Sequence, residues 1–161
     1  MFREMRRSRQ QLSKEECEQI LCRGTNGVLA VQDADGYPYA VPMSYVYTDG
    51  VVYFHCAKAG HKLDAIAHCD KVSFCVVDKD EIVPEKFTTL YRSVIVFGRA
   101  SVVEDEEEKL HSIRALMQKY SPDEGAAKAE AEIDAYWGRL CMVKLDIAHM
   151  TGKQAIELVE K

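Results

Sequence analysis

Two Asp-Gly pairs, Asp35-Gly36 and Asp49-Gly50, constrain what this chain can fold into more than any other feature. Asp-Gly between β-prone runs is a hairpin signal, because glycine supplies the positive φ that a tight two-strand turn demands. The pairs divide one stretch into three runs: residues 26–33 (NGVLAVQD), then YPYAVPMSYVYT, then VVYFHC. Together they predict a three-stranded antiparallel meander. Pro38 and Pro42 fall inside the middle run and lack a backbone N–H, which predicts an edge, a bulge, or the approach of something other than a strand.

The remaining elements follow from period and caps. Ser13 with Glu16 fits a capping box, Cys17, Ile20 and Leu21 recur at helical spacing, and Gly24 sits where a C-terminal cap belongs. After Cys56, Leu63, Ile66 and Ala67 predict a short helix beginning near Gly60 or His61. KVSFCVVD reads as a fourth strand, residues 79–90 as a loop, and YRSVIVFGRASVVE as a long fifth strand bent at Gly98. The acidic run Glu104–Glu108 opens a helix to about Tyr120, and Ser121-Pro122-Asp123-Glu124 caps another to about Tyr136. RLCMVKLDIAHM is the sixth strand, followed by the tail TGKQAIELVEK. Six mostly antiparallel strands with helices inserted between them predict a small barrel, mainly β; a parallel sheet would need a helix after nearly every strand.

At 161 residues the chain is the size of one domain, and residues 1–161 are read as one. The formal net charge of −5 disfavours a nucleic-acid partner. No apolar run has the length of a membrane helix and no apolar stretch follows the Arg-rich start, so the expected location is cytoplasmic. The six cysteines form no C-x-x-C and read as buried free thiols in a reducing compartment. His61, His68 and Cys69 match no usual zinc spacing, and no metal is expected.

Dinucleotide, P-loop, G-x-S-x-G and H-E-x-x-H motifs are absent. The segment Ala57-Lys58-Ala59-Gly60-His61-Lys62 is the strongest local signal. A strand ends, a glycine follows, and a helix begins among three potentially cationic side chains; free N–H groups and the helix dipole there attract anions, a phosphate above all. A solvated turn with ordinary lysines is the other reading. Residues 37–45 suit core and dimer surface, or a planar heterocycle reading backbone left unpaired by the prolines. Arg92 reads as a surface charge paired with the acidic helix, and Trp137 as packing or as a cover for a ring-shaped ligand.

The order PYAVPMSYVYTDGVVYFHCAKAGHKLDAI, KVSFCVV, YRSVIVFGRA resembles the FMN-binding split-barrel flavoproteins related to pyridoxamine 5′-phosphate oxidase. MRRSRQ, FHCAKAGHK and the late TGK look closest to the nitroimidazole-resistance branch, and the resemblance covers about residues 4–155. It implies a six-stranded split barrel and a homodimer with two FMN sites at the interface. By position, the oxidase's flavin-contacting strand falls on Tyr39 to Ser44, which includes Val41, Pro42 and Met43. Its next strand end falls on His55 and Cys56, its phosphate-binding Arg-Lys pair on His61 and Lys62, and a flavin-contacting Gln on Ser93. With Lys58 and Gly60 from the helix-start argument, these are the candidate cofactor residues.

Departures accompany the likeness. Ser44 stands where the oxidase has Lys, His61 where it has Arg, and the oxidase's C-terminal substrate segment has no counterpart after TGKQAIELVEK. The expected activity is therefore not pyridoxamine phosphate oxidation but FMN-dependent reduction of a small, nitroaromatic-like substrate. His55 is either its active-site histidine or a strand residue held at the interface. A non-catalytic flavin- or heme-binding protein is the alternative, and a dimeric structural protein with an empty cleft a third.

Overall fold

A computed structural model describes residues 2–159. The helix α1 (Lys14–Arg23) opens on the expected capping box: the Ser13 hydroxyl accepts from the Glu16 N–H, and the Glu16 carboxylate accepts from the Ser13 N–H. Seven strands follow, not six: β1 (Gly27–Gln32), β2 (Pro38–Met43), β3 (Val46–Thr48), β4 (Val51–Ala57), β5 (Lys71–Val83), β6 (Thr88–Val102) and β7 (Leu140–Gln154). They form one antiparallel sheet in the order β2-β1-β5-β6-β7-β4-β3.

The extra strand comes from the run expected to be the middle of a meander. It breaks at Ser44 and Tyr45, so both Asp-Gly hairpins form, β1–β2 and β3–β4, but on opposite edges of the sheet. Two residues span only about 10 Å of chain, so the edges must be brought side by side and the sheet must roll. The result is a barrel open along one seam, the split-barrel outline. Pro38 and Pro42 lie on β2, an edge strand paired only with β1, where a missing N–H disturbs no second ladder.

Backbone at the break is satisfied from outside the sheet. The Tyr45 N–H donates to the Tyr120 hydroxyl at 2.9 Å, and that hydroxyl sits 2.6 Å from the Thr25 carbonyl oxygen, to which it donates. Tyr120 ends α3 (Glu106–Tyr120), capped by Asp105 and opened by three glutamates. Inside the barrel, Phe74 meets the rings of Tyr45 and Phe54 edge-on, with centroids 4.9 and 5.0 Å apart. Leu29, Val76, Val94, Val96 and Leu145 fill the space around them. The helix α2 (His61–His68) buries Ala65 and Ile66 in the same core. A second apolar cluster lies on the outer side, where Ile113 and Leu116 of α3 and Ile133 of α4 (Ala126–Tyr136) pack with Val46, Tyr53 and Met142.

Further expectations are corrected. Residues 79–90 are mostly not a loop: β5 and β6 pair out to Val83↔Thr88, turning through Pro84–Lys86 and a left-handed Phe87. The N-cap of α4 is Gly125, which has no side chain to cap with, and Glu124 pairs with Lys128. Arg92 pairs with Asp78, which also holds Arg23, and not with the acidic helix. Gly98 does mark a register shift against β7; a Cβ there would run into the Asp146 carbonyl oxygen. All six cysteines are free, but only Cys17 and Cys141 are buried; Cys56, Cys69 and Cys75 are half-buried and Cys22 is exposed. Trp137 packs on the second cluster, donates to Glu106, and lies under the Lys109 ammonium. Among the described residues, no helix is long and apolar enough to cross a membrane.

Two outcomes are expected. Tyr120→Phe removes the hydroxyl that serves the break and lowers stability by about 1–3 kcal/mol in urea unfolding. The Arg23 guanidinium holds the Asp78 carboxyl below its ordinary range, so this stabilisation is full at neutral pH and lost as pH falls through the depressed value. Asp78→Asn is expected to be less stable than the parent at pH 7, with the gap shrinking in acid-unfolding curves as pH falls below the ordinary carboxylate range and through the depressed value.

Candidate functional site

Alternation along β4 decides which of its residues face the core and which face α3 and α4. Val52 and Phe54 point into the barrel, while Tyr53 belongs to the outer cluster and His55 follows it on that side. Next to the strand break, Ser44, His55 and Cys56 line one cavity of about 580 Å³. Its opposite wall comes from α3 and α4: Ile113, Leu116, Met117 and Tyr120 from the first, Ile133 and Tyr136 from the second. Glu132 and Arg139 also line it. Sequence reasoning missed this wall, although Ile113, Leu116, Met117 and Tyr120 fall at i, i+3, i+4 and i+7, one helical stripe.

Cys56 stands directly across the ladder from Cys141. Burial pushes the Cys56 thiol up to about 11, the neighbouring Cys141 thiol adds to this, and the Lys62 ammonium pulls the other way. The cavity-lining end of β4, His55 to Ala57, runs directly into the turn that opens α2.

The second part is the turn from β4 into α2. Gly60 has φ +143, a conformation glycine favours, and the space where a Cβ would point is open. The first hydrogen bonds of α2 run from Leu63 and Asp64 to the Gly60 carbonyl, which leaves the His61 and Lys62 N–H groups free of intrahelical partners. Among the described residues, Lys58 and Lys62 have no carboxylate within salt-bridge distance. His61 is committed elsewhere: its ring stacks on Tyr39 at 4.2 Å, and its Nε2 lies 3.5 Å from Asp33, whose other oxygen accepts from the Asp35 and Tyr37 N–H groups of the β1–β2 turn. The anion cradle thus consists of two lysines and two amides, with His61 turned toward the first hairpin.

Val41, Pro42 and Met43 lie on β2 against β1, Met43 buried in the core, and the outer edge of β2 has no ladder partner. Ser93 is not brought to this cluster along the sheet. It sits in mid-β6 between Val77 and Lys153, on the face opposite buried Val94 and Val96 and shared with exposed Ile95 and Phe97.

Two lysines and two free amides at the start of α2, with an apolar cavity at the end of the preceding strand of a split antiparallel barrel, make up the candidate site. The chain belongs to the pyridoxamine 5′-phosphate oxidase family, whose model matches residues 13–154. Among solved structures it is similar to a candidate 5-nitroimidazole antibiotic resistance protein from Bacteroides thetaiotaomicron, with 24% identity over 89% of this chain and 86% of that one and a TM-score of 0.74. It is also similar to an FAD-binding protein from Mesorhizobium loti, with 26% identity over 90% and 96% and a TM-score of 0.66. A third is an FAD- and heme-binding protein from Mycobacterium smegmatis, with 20% identity over 91% and 73% and a TM-score of 0.74. No curated protein matches the chain.

Thiol chemistry reports on this geometry. Burial pushes both Cys17 and Cys56 up to about 11, whereas Cys22 is exposed. A charged aromatic disulfide reagent at pH 8 is expected to titrate Cys22 rapidly, half-buried Cys56 slowly and buried Cys17 only on unfolding, as read by mass spectrometry of the labelled peptides.

Proposed function

We propose that this chain binds FMN and, as a homodimer, reduces a small nitroaromatic-like substrate. The observation that carries the reading is that one strand end serves both parts of the site: His55, Cys56 and Ala57 of β4 line the cavity, and the cationic α2 turn follows them in the chain. The residues fit the cofactor: Lys58, Lys62 and the amides of His61 and Lys62 would hold its phosphate, and Gly60 leaves room for it. Bound flavin supplies the redox chemistry that no side chain here can perform.

The chain's own residues bind and orient. Backbone N–H and C=O groups of Val41–Ser44, on the unpartnered edge of β2, offer hydrogen bonds to the ring edge. The wall of Ile113, Leu116 and Ile133 keeps water from the cavity. His55, which lines the cavity, would hand a proton from its imidazole to a substrate oxygen as that oxygen gains charge. Val28, Ile95 and Phe97 expose 37–39% of their surface on the outer sheet face, which suits a second copy of the chain. Ser93 lies on that face and would act across the interface.

The test is the absorption spectrum of freshly purified protein, followed by FMN titration. A flavin spectrum with FMN released on denaturation is expected, as is weakening of FMN binding by about 1.5–3 kcal/mol in Lys62→Ala. Unchanged affinity removes Lys62 from the site. No binding at micromolar FMN overturns the reading, and a heme Soret band would support the non-catalytic heme-binding alternative.

A further inference from the structure

The rim of the cavity carries an arginine that the fold does not use. Four other arginines meet carboxylates: Arg23 and Arg92 on Asp78, Arg99 on Asp70, and Arg114 on Glu130. Among the described residues, Arg139 has no such partner. Its guanidinium lies over the Tyr136 ring, 4.9 Å from the centroid, and both residues line the cavity. Stacking on a ring fixes the plane of a guanidinium while leaving its N–H edges free to donate.

The rest of the lining sets the shape and polarity of what enters. Ile113, Leu116, Ile133 and Leu140 are apolar, and Tyr120 and Tyr136 present ring surface. A volume of about 580 Å³ falls within the range of small-molecule sites. Ser44 and His55 are at the barrel side, opposite the rim. One charge works against an anion: Glu132, one turn before Tyr136 on α4, also lines the cavity and forms no ion pair with Arg139.

We infer that the cavity selects planar, ring-bearing monocarboxylates, with Arg139 binding the carboxylate at the rim and the ring lying between Tyr120 and the apolar wall toward His55. One free guanidinium matches one carboxylate, and a bidentate pair in an apolar surround gives direction as well as attraction. Glu132 tempers the affinity and disfavours dianions. This rests on reading the cavity as the substrate site of the proposed reductase.

The experiment compares para-nitrobenzoate with para-nitrobenzamide, probes of the same shape and different charge, by calorimetry on the flavin-loaded dimer at pH 7.5. The acid is expected to bind at least about tenfold tighter than the amide. Arg139→Gln is expected to erase that preference, Arg139→Lys to retain part of it, and Glu132→Gln to enlarge it. Equal binding of the two probes, no binding of either, or a preference that survives in Arg139→Gln overturns the inference. Both substituted side chains are exposed, so loss of fold does not confuse the result. Binding is read without turnover. A protein that prefers the acid but takes up no flavin overturns the reductase reading alone, and a flavin-loaded reductase indifferent to charge overturns this inference alone.

Discussion

The break at Ser44 and Tyr45 is the constraint on which the rest of the molecule depends. β2 and β3 are consecutive in sequence and lie at opposite ends of the strand order, so chain continuity alone forces the sheet to roll. The break also frees backbone groups that a ladder would have paired. The Tyr120 hydroxyl takes them up and ties the end of α3 to the seam. Because Tyr120 and Ser44 both line the cavity, the contact that closes the barrel also sets one side of the candidate site.

Much of this was legible in local chemistry. The capping box at Ser13 and Glu16, the acidic opening of α3, the glycine at the start of α2 and the bend at Gly98 each rest on backbone groups that one or two residues satisfy or exclude. These signals are short in range and survive folding unchanged. The strand break was not legible, because the tyrosines and valines of YPYAVPMSYVYT continue on both sides of it and the two prolines fall before it, within β2. What ends β2 is Tyr45, wholly buried against Phe74, a contact nearly thirty residues away in sequence. Residues 79–90 were misread for a related reason. Charges and a proline suggested a loop, yet β5 and β6 pair as a projecting hairpin whose side chains need no core beneath them.

The candidate site divides the same way. The cradle at Lys58–Lys62 follows from the chemistry of a helix start and is visible in a dozen residues. The cavity is not, because its walls come from β4, α3 and α4, which only the roll of the sheet brings together. His61 shows the limit of reading by position. Its place in the sequence suggests a phosphate ligand, whereas in the fold its ring stacks on Tyr39 with Nε2 3.5 Å from Asp33.

The segment carrying α3 and α4 leaves the sheet after Val102 and returns at Leu140, and the Val103 N–H still bonds the Met142 carbonyl beside the departure point. Chain thus exits and re-enters the barrel at neighbouring rungs of two adjacent strands. Such an excursion can change in length or composition without shifting the register of any strand, while the anion cradle belongs to a different connection, between β4 and α2. The helical wall of the cavity is therefore carried by a different connection from the lysines and amides of the α2 turn. A lineage built on this barrel could alter its choice of small molecule by rewriting one loop-borne helical pair.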